Sequence, residues 1–350
     1  MVRWVLIMMA TAALWWAPAA AAGTAEVIPL SVDCPTAAVC HAVSYRSDNR
    51  EGGYHAVTRD GGRTWRNRPI ALAGIGQLHQ ISCPTADVCV AAGSRGVNSH
   101  TGSSAYIAIR TTDGGRSWEE RALPVPDDTT TGSLSCPAAD RCVIATSRGA
   151  VVSTDGGETW TLTFKFRARG FPMVQCPTQK VCWIVDTRTY RSVDGGTTWK
   201  NVGQFRPQQT RAFACLSASE CLVTGMPRGE NQGAVFRSSD RGRTWQTTRF
   251  YEDIDDEPPH DVACAGSTCV IVTQSIQPPV HHSRVLVTHD RGRTWRQAGR
   301  TSFGYPHAVS CPTARRCVAL GGLLQKHTFR IAAAFTRNGA KSWTTASVTS

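Results

Sequence analysis

This sequence is short of several things, and each shortage narrows the field. After the apolar run at its N-terminus it has no second stretch near the about 20 apolar residues that a membrane-spanning helix needs. It has no sustained 3.6-residue hydrophobic period, and Gly, Thr and Val are too frequent for helices of useful length, which excludes a helical architecture. It lacks a Gly-x-Ser-x-Gly turn, a His-Glu-x-x-His pair and a phosphate-cradling Gly loop, the short signatures of several large enzyme classes. Lysine and acidic residues are scarce. The 38 basic residues are nearly all Arg, and against 26 acidic ones they leave a formal charge of +12. An Arg-dominated excess suits acidic partners such as carboxylate sugars, anionic polymers or membrane surfaces. Compositional bias combined with a need for solubility gives the same number without any partner.

What is present begins with export. Arg3 precedes an apolar run from Trp4 to Trp16, and small residues follow through Ala20-Ala21-Ala22. A basic start, an apolar middle and an Ala-x-Ala end predict a secretory signal peptide over residues 1–22, cleaved near Ala22. Pro18 and the Ala-rich end argue against a retained anchor. All 14 cysteines lie beyond that segment and fall into seven close pairs: Cys34–Cys40, Cys83–Cys89, Cys136–Cys142, Cys176–Cys182, Cys215–Cys221, Cys264–Cys269 and Cys311–Cys317. In an exported chain an even set of paired cysteines reads as a disulfide framework. Structural zinc prefers spacings of two to four residues and needs four ligands in one place; six of these pairs have five residues between them, so no metal site is expected.

Each pair is followed, 12 to 24 residues after its second cysteine, by the Asp of Ser/Thr-x-Asp-x-Gly-x-Thr/Ser-Trp. The motif is complete at Asp60, Asp113, Asp155, Asp194, Asp240 and Asp290, and worn at Asn338-Gly-Ala340. The unit repeats every roughly 47 residues over 23–350. A short strand enters the first cysteine, a turn follows, a second strand leaves the second cysteine, a third ends at the Asp motif and a fourth starts at its Trp. Four short strands per repeat is the sequence sign of a propeller blade. The chain is therefore expected to be all-β, a seven-bladed β-propeller of four-stranded blades with one disulfide per blade. The approximate blades are 24–70, 71–124, 125–165, 166–203, 204–250, 251–301 and 302–350. The cysteines should clip the first hairpin of each blade. The Asp and Thr side chains should bond to their own turn, and the Trp should pack between blades. Seven calcium loops are not expected, because the dense oxygen spacing of such loops is missing.

The repeated Ser/Thr-x-Asp-x-Gly-x-Thr-Trp resembles the Asp box, or bacterial neuraminidase repeat, of sialidases, xyloglucanase-type glycoside hydrolases, the sortilin receptor domain and the propeller assembly factor of photosystem II. With its Cys-Pro-Thr-x-x-x-Cys turns, the chain is similar to exported actinobacterial propellers. The resemblance implies that the boxes lie away from the active face. Strand direction says the same: turns 1–2 and 3–4 share one face, and function is expected on the other, which carries the 2–3 loops and the blade-to-blade connections.

On that loop face the steps from second cysteine to box position are 20, 24, 13, 12, 19, 21 and 21, so a notch is expected over blades 3 and 4. Arg46, Arg50, Arg68, Arg95, Arg121, Arg188, Arg206, Arg211, Arg228 and Arg284 belong to this face, and Lys165-Phe-Arg167-Ala-Arg169 is its densest basic run. An acidic block, Tyr251-Glu252-Asp253-Ile254-Asp255-Asp256-Glu257, breaks the pattern. It is a candidate calcium site at 252–257, a source of one catalytic carboxylate, or a neutralising neighbour for the Arg-rich loops. Arg167, Arg169, Arg206, Tyr251, Glu252 and Asp253 are the candidate binding residues. No complete catalytic set is evident: a sialidase-like Phe/Tyr-Arg-Ile-Pro is missing from the first blade, and Phe329-Arg330-Ile331-Ala332 lacks the Pro and lies in the last. The expected protein is a non-catalytic, monomeric, exported propeller without a cofactor. It should bind an anionic glycan or a cell-surface or secreted protein rather than nucleic acid. The alternative is a sialidase-like or other glycoside hydrolase.

Overall fold

Seven four-stranded antiparallel sheets surround one axis in a computed structural model that describes residues 27–46, 52–95, 105–126, 129–230, 233–249, 259–273, 283–301, 305–325 and 328–349. The segment expected to be a signal peptide lies outside these residues. Strands follow chain order from the axis outwards. In blade 1 they are Val27–Asp33, Cys40–Arg46, Gly53–Thr58 and Thr64–Pro69. The described residues contain no helix, and none is long and apolar enough to cross a membrane. All seven cysteine pairs are disulfide-bonded across the first hairpin of their blades, with Cα atoms 3.9–4.1 Å apart. Each closes a short loop and contributes about 2 kcal/mol in the chain-entropy model, without simple additivity.

The hydrophobic core is divided into seven wedges, each straddling a blade boundary. The wedge between blades 7 and 1 holds Trp65 with Val32, Ala56, Val318 and Leu320. The wedge between blades 3 and 4 holds Trp199 with Val143, Val152 and Ile184. No blade buries both faces alone, so the wedges make the ring one cooperative body.

The Asp motifs build one turn seven times. In blade 1, Asp60 Oδ1 accepts from Thr58 Oγ1 and from the N–H groups of Arg63 and Thr64, while Oδ2 accepts from Thr64 Oγ1 at 2.6 Å. Thr58 Oγ1 in turn accepts the N–H of Gly62 at 3.0 Å. The residue after each box Asp or Asn donates its N–H to the disulfide hairpin of the same blade, in seven equivalent bonds of 2.8–3.2 Å such as Gly61 to Ala38 O and Gly195 to Lys180 O. Hairpins and boxes therefore do share one face. The worn box folds alike, because Asn338 Oδ1 accepts from Ser342 N while its Nδ2 donates to Ser342 Oγ at 2.8 Å. Ala340 there takes φ 64°, a conformation that suits glycine.

Two devices go beyond the sequence expectations. The ring closes through the outermost strands: Thr344–Thr349 of blade 7 pairs in parallel with Thr64–Pro69 of blade 1, so these two blades form one eight-stranded sheet. A belt of blade-to-blade hydrogen bonds also lines the axis. Side chains one or three positions before the first cysteine accept a backbone N–H from the next blade. Examples are Cys83 N to Asp33 Oδ2 at 2.6 Å, Cys136 N to Ser82 Oγ at 2.9 Å, Cys34 N to Ser310 Oγ at 3.1 Å and Val309 N to Asp261 Oδ2 at 2.7 Å.

Candidate functional site

The notch over blades 3 and 4 is a cavity of about 800 Å³. Short connections make it. The second and third strands of blade 3 turn at Ser147-Arg148, and those of blade 4 turn at Asp186-Thr187. The blade 3-to-4 linker is laid over these turns. Phe166 N donates to Arg148 O, Ala168 N to Ser147 O at 3.0 Å, and Arg169 N and Gly170 N to Asp186 Oδ2 and Oδ1 at 3.0 and 3.1 Å. Asp186, 8% exposed, is thereby committed to holding the linker.

Lys165, Arg167, Arg169, Arg188, Arg206 and Arg228 line the cavity, all exposed and none with an ion pair among the described residues. Among the described residues, Asp186 is the lone carboxylate in the lining. A cluster of mutually tilted aromatic rings completes it: Phe164, Phe166 and Tyr190 have centroids 5.2–5.6 Å apart and interplanar angles of 31–66°. The structure thus brings Arg167, Arg169 and Arg206 together at one cavity. Tyr251, Glu252 and Asp253, with the calcium candidate at 252–257, lie outside the described residues. Chemically, the arrangement offers several guanidinium forks to carboxylate or phosphate oxygens beside a half-buried apolar cluster.

Two other basic residues assigned to this face are already engaged, and Arg50 lies outside the described residues. Arg95 pairs with Glu120 at 2.6 Å. Arg121 does not stand free on the loop face. It lies on the outer strand of blade 2 and reaches Glu158 in the box of blade 3 at 2.6 Å, as well as Glu119. Alternation along that strand turns Arg121 towards its neighbouring blade, where step lengths alone cannot place it.

A second cavity, about 380 Å³, is the axial channel. The first strands of all seven blades line it, with one arginine, Arg211, and two carboxylates, Asp33 and Asp261, among the described residues. Both acids touch the channel yet are enclosed by protein. Burial pushes Asp33 up to about 6 and Asp261 up to about 7, against the lowering effect of the N–H groups they accept. Sequence reasoning missed this pair; the available signal was an Asp or Ser one or three residues before a cysteine in an otherwise apolar strand. Phe171, 49% exposed, stands between the two cavities, lining the channel two residues after Arg169.

Among the described residues, one cluster has the composition of a metal site, His41 with Cys83 and Cys89. Its chemistry does not fit a metal. The two sulfurs are bonded to each other. His41 donates Nε2–H to Ala86 O at 3.0 Å, which leaves Nδ1 to accept from His55 Nε2 at 2.9 Å. Burial lowers these imidazoles to about 4 and about 3, so both are neutral at ordinary pH.

Comparison with known proteins adds the following. The family model for the BNR/Asp-box repeat matches residues 151–162, the box of blade 3. No curated protein matches the sequence. Among solved structures, the chain is similar to the GH74 xyloglucanase from Xanthomonas campestris, with 16% identity and a TM-score of 0.63 over 91% of this chain and 53% of that one. This chain thus spans about half the length of that enzyme. It is similar to YCF48 bound to D1 peptide, with 16% identity and a TM-score of 0.53 over 76% of this chain and 80% of that one. YCF48 from Cyanidioschyzon merolae is comparable, with 12% identity and a TM-score of 0.52 over 92% and 85%. At such identities the likeness concerns the fold: a seven-bladed propeller carrying BNR/Asp-box repeats.

Proposed function

We propose that this protein is an exported, monomeric binding module that captures a carboxylate-bearing ligand, an anionic glycan or an acidic stretch of a cell-surface or secreted protein, in the arginine pocket over blades 3 and 4, without catalysis. The observation that carries the reading is the imbalance in the pocket: among the described residues, six exposed cations surround a single carboxylate, Asp186, whose oxygens already hold backbone N–H groups. Like charges gathered on a water-exposed surface repel, and a bound anion relieves that repulsion. The half-buried Phe164 and Phe166 rings offer apolar contact to a sugar ring or an apolar side chain. Seven disulfides suit an oxidising, extracellular compartment. The peptide in the YCF48 complex lends support at the level of the fold, since a propeller of this kind can serve as a binding platform.

The test is a binding panel of uronate-bearing glycans, neutral glycans and acidic peptides. The anionic members should be retained and the neutral glycans should not; retention of neutral glycans alone would contradict the reading. A glycoside hydrolase is the second reading, favoured by one observation. Asp33 and Asp261 both face the axial channel with raised proton affinity, as a general acid requires. Their side chains also hold neighbouring blades together, which ties them to the scaffold. Release of reducing ends from any glycan in the panel, lost in Asp261→Asn, would favour the enzyme.

A further inference from the structure

On the Asp-box face every blade boundary presents three equivalent positions. They are the residue before the second cysteine, the residue three before the box Asp, and the residue after the box Asp of the next blade. Between blades 5 and 6 these are Glu220, Arg237 and Arg291. Glu220 bridges the two arginines: Oε1 accepts from Arg237 Nη2, and Oε2 accepts from Arg291 Nε at 2.6 Å and Nη2 at 2.5 Å. Arg237 Nε completes the clamp by donating to Arg291 O at 3.0 Å. Burial alone would raise the Glu220 pKa, but the bonds from Arg291 and Arg237 outweigh it and hold the carboxyl below its ordinary range.

Between blades 4 and 5 the same positions hold Val181, Arg191 and Arg241. Both cations are kept and the carboxylate is replaced by an isopropyl group. Arg191 lies over the Trp183 ring, 5.9 Å from its centroid, and donates one N–H to Ala218 O at 3.4 Å. Its Nε is buried without a hydrogen-bond partner, whereas the equivalent Arg237 Nε is satisfied. Burial and then the nearby Arg241 cation lower the Arg191 pKa, so the pair is close enough to repel. Neither arginine has an acidic partner among the described residues. Arg241 also holds φ 67°, where the boxes of blades 1, 2, 3, 4 and 7 place a glycine. Arg291 adopts the same strained φ of 67°, and there the arginine reaches Glu220. The strain at Arg241 has no such return among the described residues.

We propose that Arg191 and Arg241 form an anion site that accepts a carboxylate from outside the chain, in the position Glu220 occupies one blade further on. Two guanidinium forks around one carboxylate make charge-assisted, bidentate contacts. Arg241 is exposed, so the site opens to solvent. It lies on the face opposite the arginine pocket and stands independently of the function proposed there.

Thermal unfolding of the Arg167→Ala/Arg169→Ala protein, which silences the loop-face pocket, provides the test. Melting is compared in chloride, citrate and polyglutamate at matched ionic strength. Citrate stabilises many proteins by exclusion, so the readout is the difference between variants. The parent should gain about 2 °C more than the variants do, in a saturable way. Val181→Glu should raise Tm in chloride and lose the extra citrate response. Arg241→Gly relieves the positive φ, should keep the fold, and should also lose the response, which covers the case in which Val181→Glu fails to fold. Equal citrate responses in the parent and Arg241→Gly would overturn the proposal. A matching gain with polyglutamate would assign the site to acidic side chains, and a gain with citrate alone to small polycarboxylates.

Discussion

The two faces of the ring are built on opposite principles. On the Asp-box face one set of contacts recurs from blade to blade: box Asp (Asn in blade 7) with its Thr or Ser, box backbone with disulfide hairpin, Trp with the wedge behind it. On the loop face the connections differ in length from blade to blade, and the cavity over blades 3 and 4 is ringed by cations that have no acidic partner among the described residues. Satisfied, repeated contacts stabilise a fold and leave little for a ligand to gain. Unpaired charges held by short, pinned connections do the reverse. The Arg191–Arg241 pair apart, stability and binding should therefore map to different faces, and substitutions can separate them.

The largest loss of stability should come from Gly115→Ala on the box face. Gly115 has φ 81°, and an added Cβ would run into the His55 ring, which is buried and tied to His41. A cost of about 3 kcal/mol in chemical denaturation is expected. Next, replacing Cys136 and Cys142 together by Ala should cost about 2 kcal/mol, since the short hairpin loses its clip.

At the axis the sign depends on pH. Asp261 is raised to about 7 from 3.8, so the folded state holds its proton more tightly than the unfolded chain does. Its contribution is full below the unfolded pKa and is lost as pH rises through about 7. Asp261→Asn should match the parent near pH 4 and exceed it by about 2 kcal/mol near pH 8. The box acids run the other way. Slight burial would raise Asp113, but bonds from Ser117, Thr111 and Arg116 hold it at about 2. Its contribution is present above the unfolded pKa and is lost as pH falls through about 2. A Tm-versus-pH profile of the two proteins checks both signs. Ala340→Gly, which removes a non-glycine φ of 64° from the worn box, should add about 0.5–1 kcal/mol.

Much of the fold was legible because its signals are local and repeated. A cysteine pair with four or five residues between its members suits the two strands of a hairpin, and an Asp two residues after a Ser or Thr can cap its own turn. The axial belt was not legible. Its acceptors differ in kind, Asp33, Ser82, Ser135 and Asp261, and their partners are N–H groups one blade away, 41 to 54 residues along the chain. Ring closure escaped for the same reason: pairing of Thr64–Pro69 with Thr344–Thr349 is decided by the whole circle. At the candidate site, step lengths located the notch and the basic run supplied Arg167 and Arg169. Arg206 joins them because Phe205 N donates to Thr187 O, fixing the next linker beside the same turn. The aromatic cluster was not read, because it joins Phe164 on the outer strand of blade 3 to Tyr190 on the third strand of blade 4, a contact between blades that local pattern does not show.

The measurement that tests this separation most directly is titration of the intact protein with polygalacturonate, a uronate polymer, at low and high salt, alongside Arg167→Ala/Arg169→Ala. The double variant should unfold within about 0.5 kcal/mol of the parent. It should bind at least about 10-fold more weakly at low salt, and salt should weaken the parent more than the variant. Equal affinities with equal salt dependence would contradict the claim that this face, and this pocket, is where the protein meets its ligand.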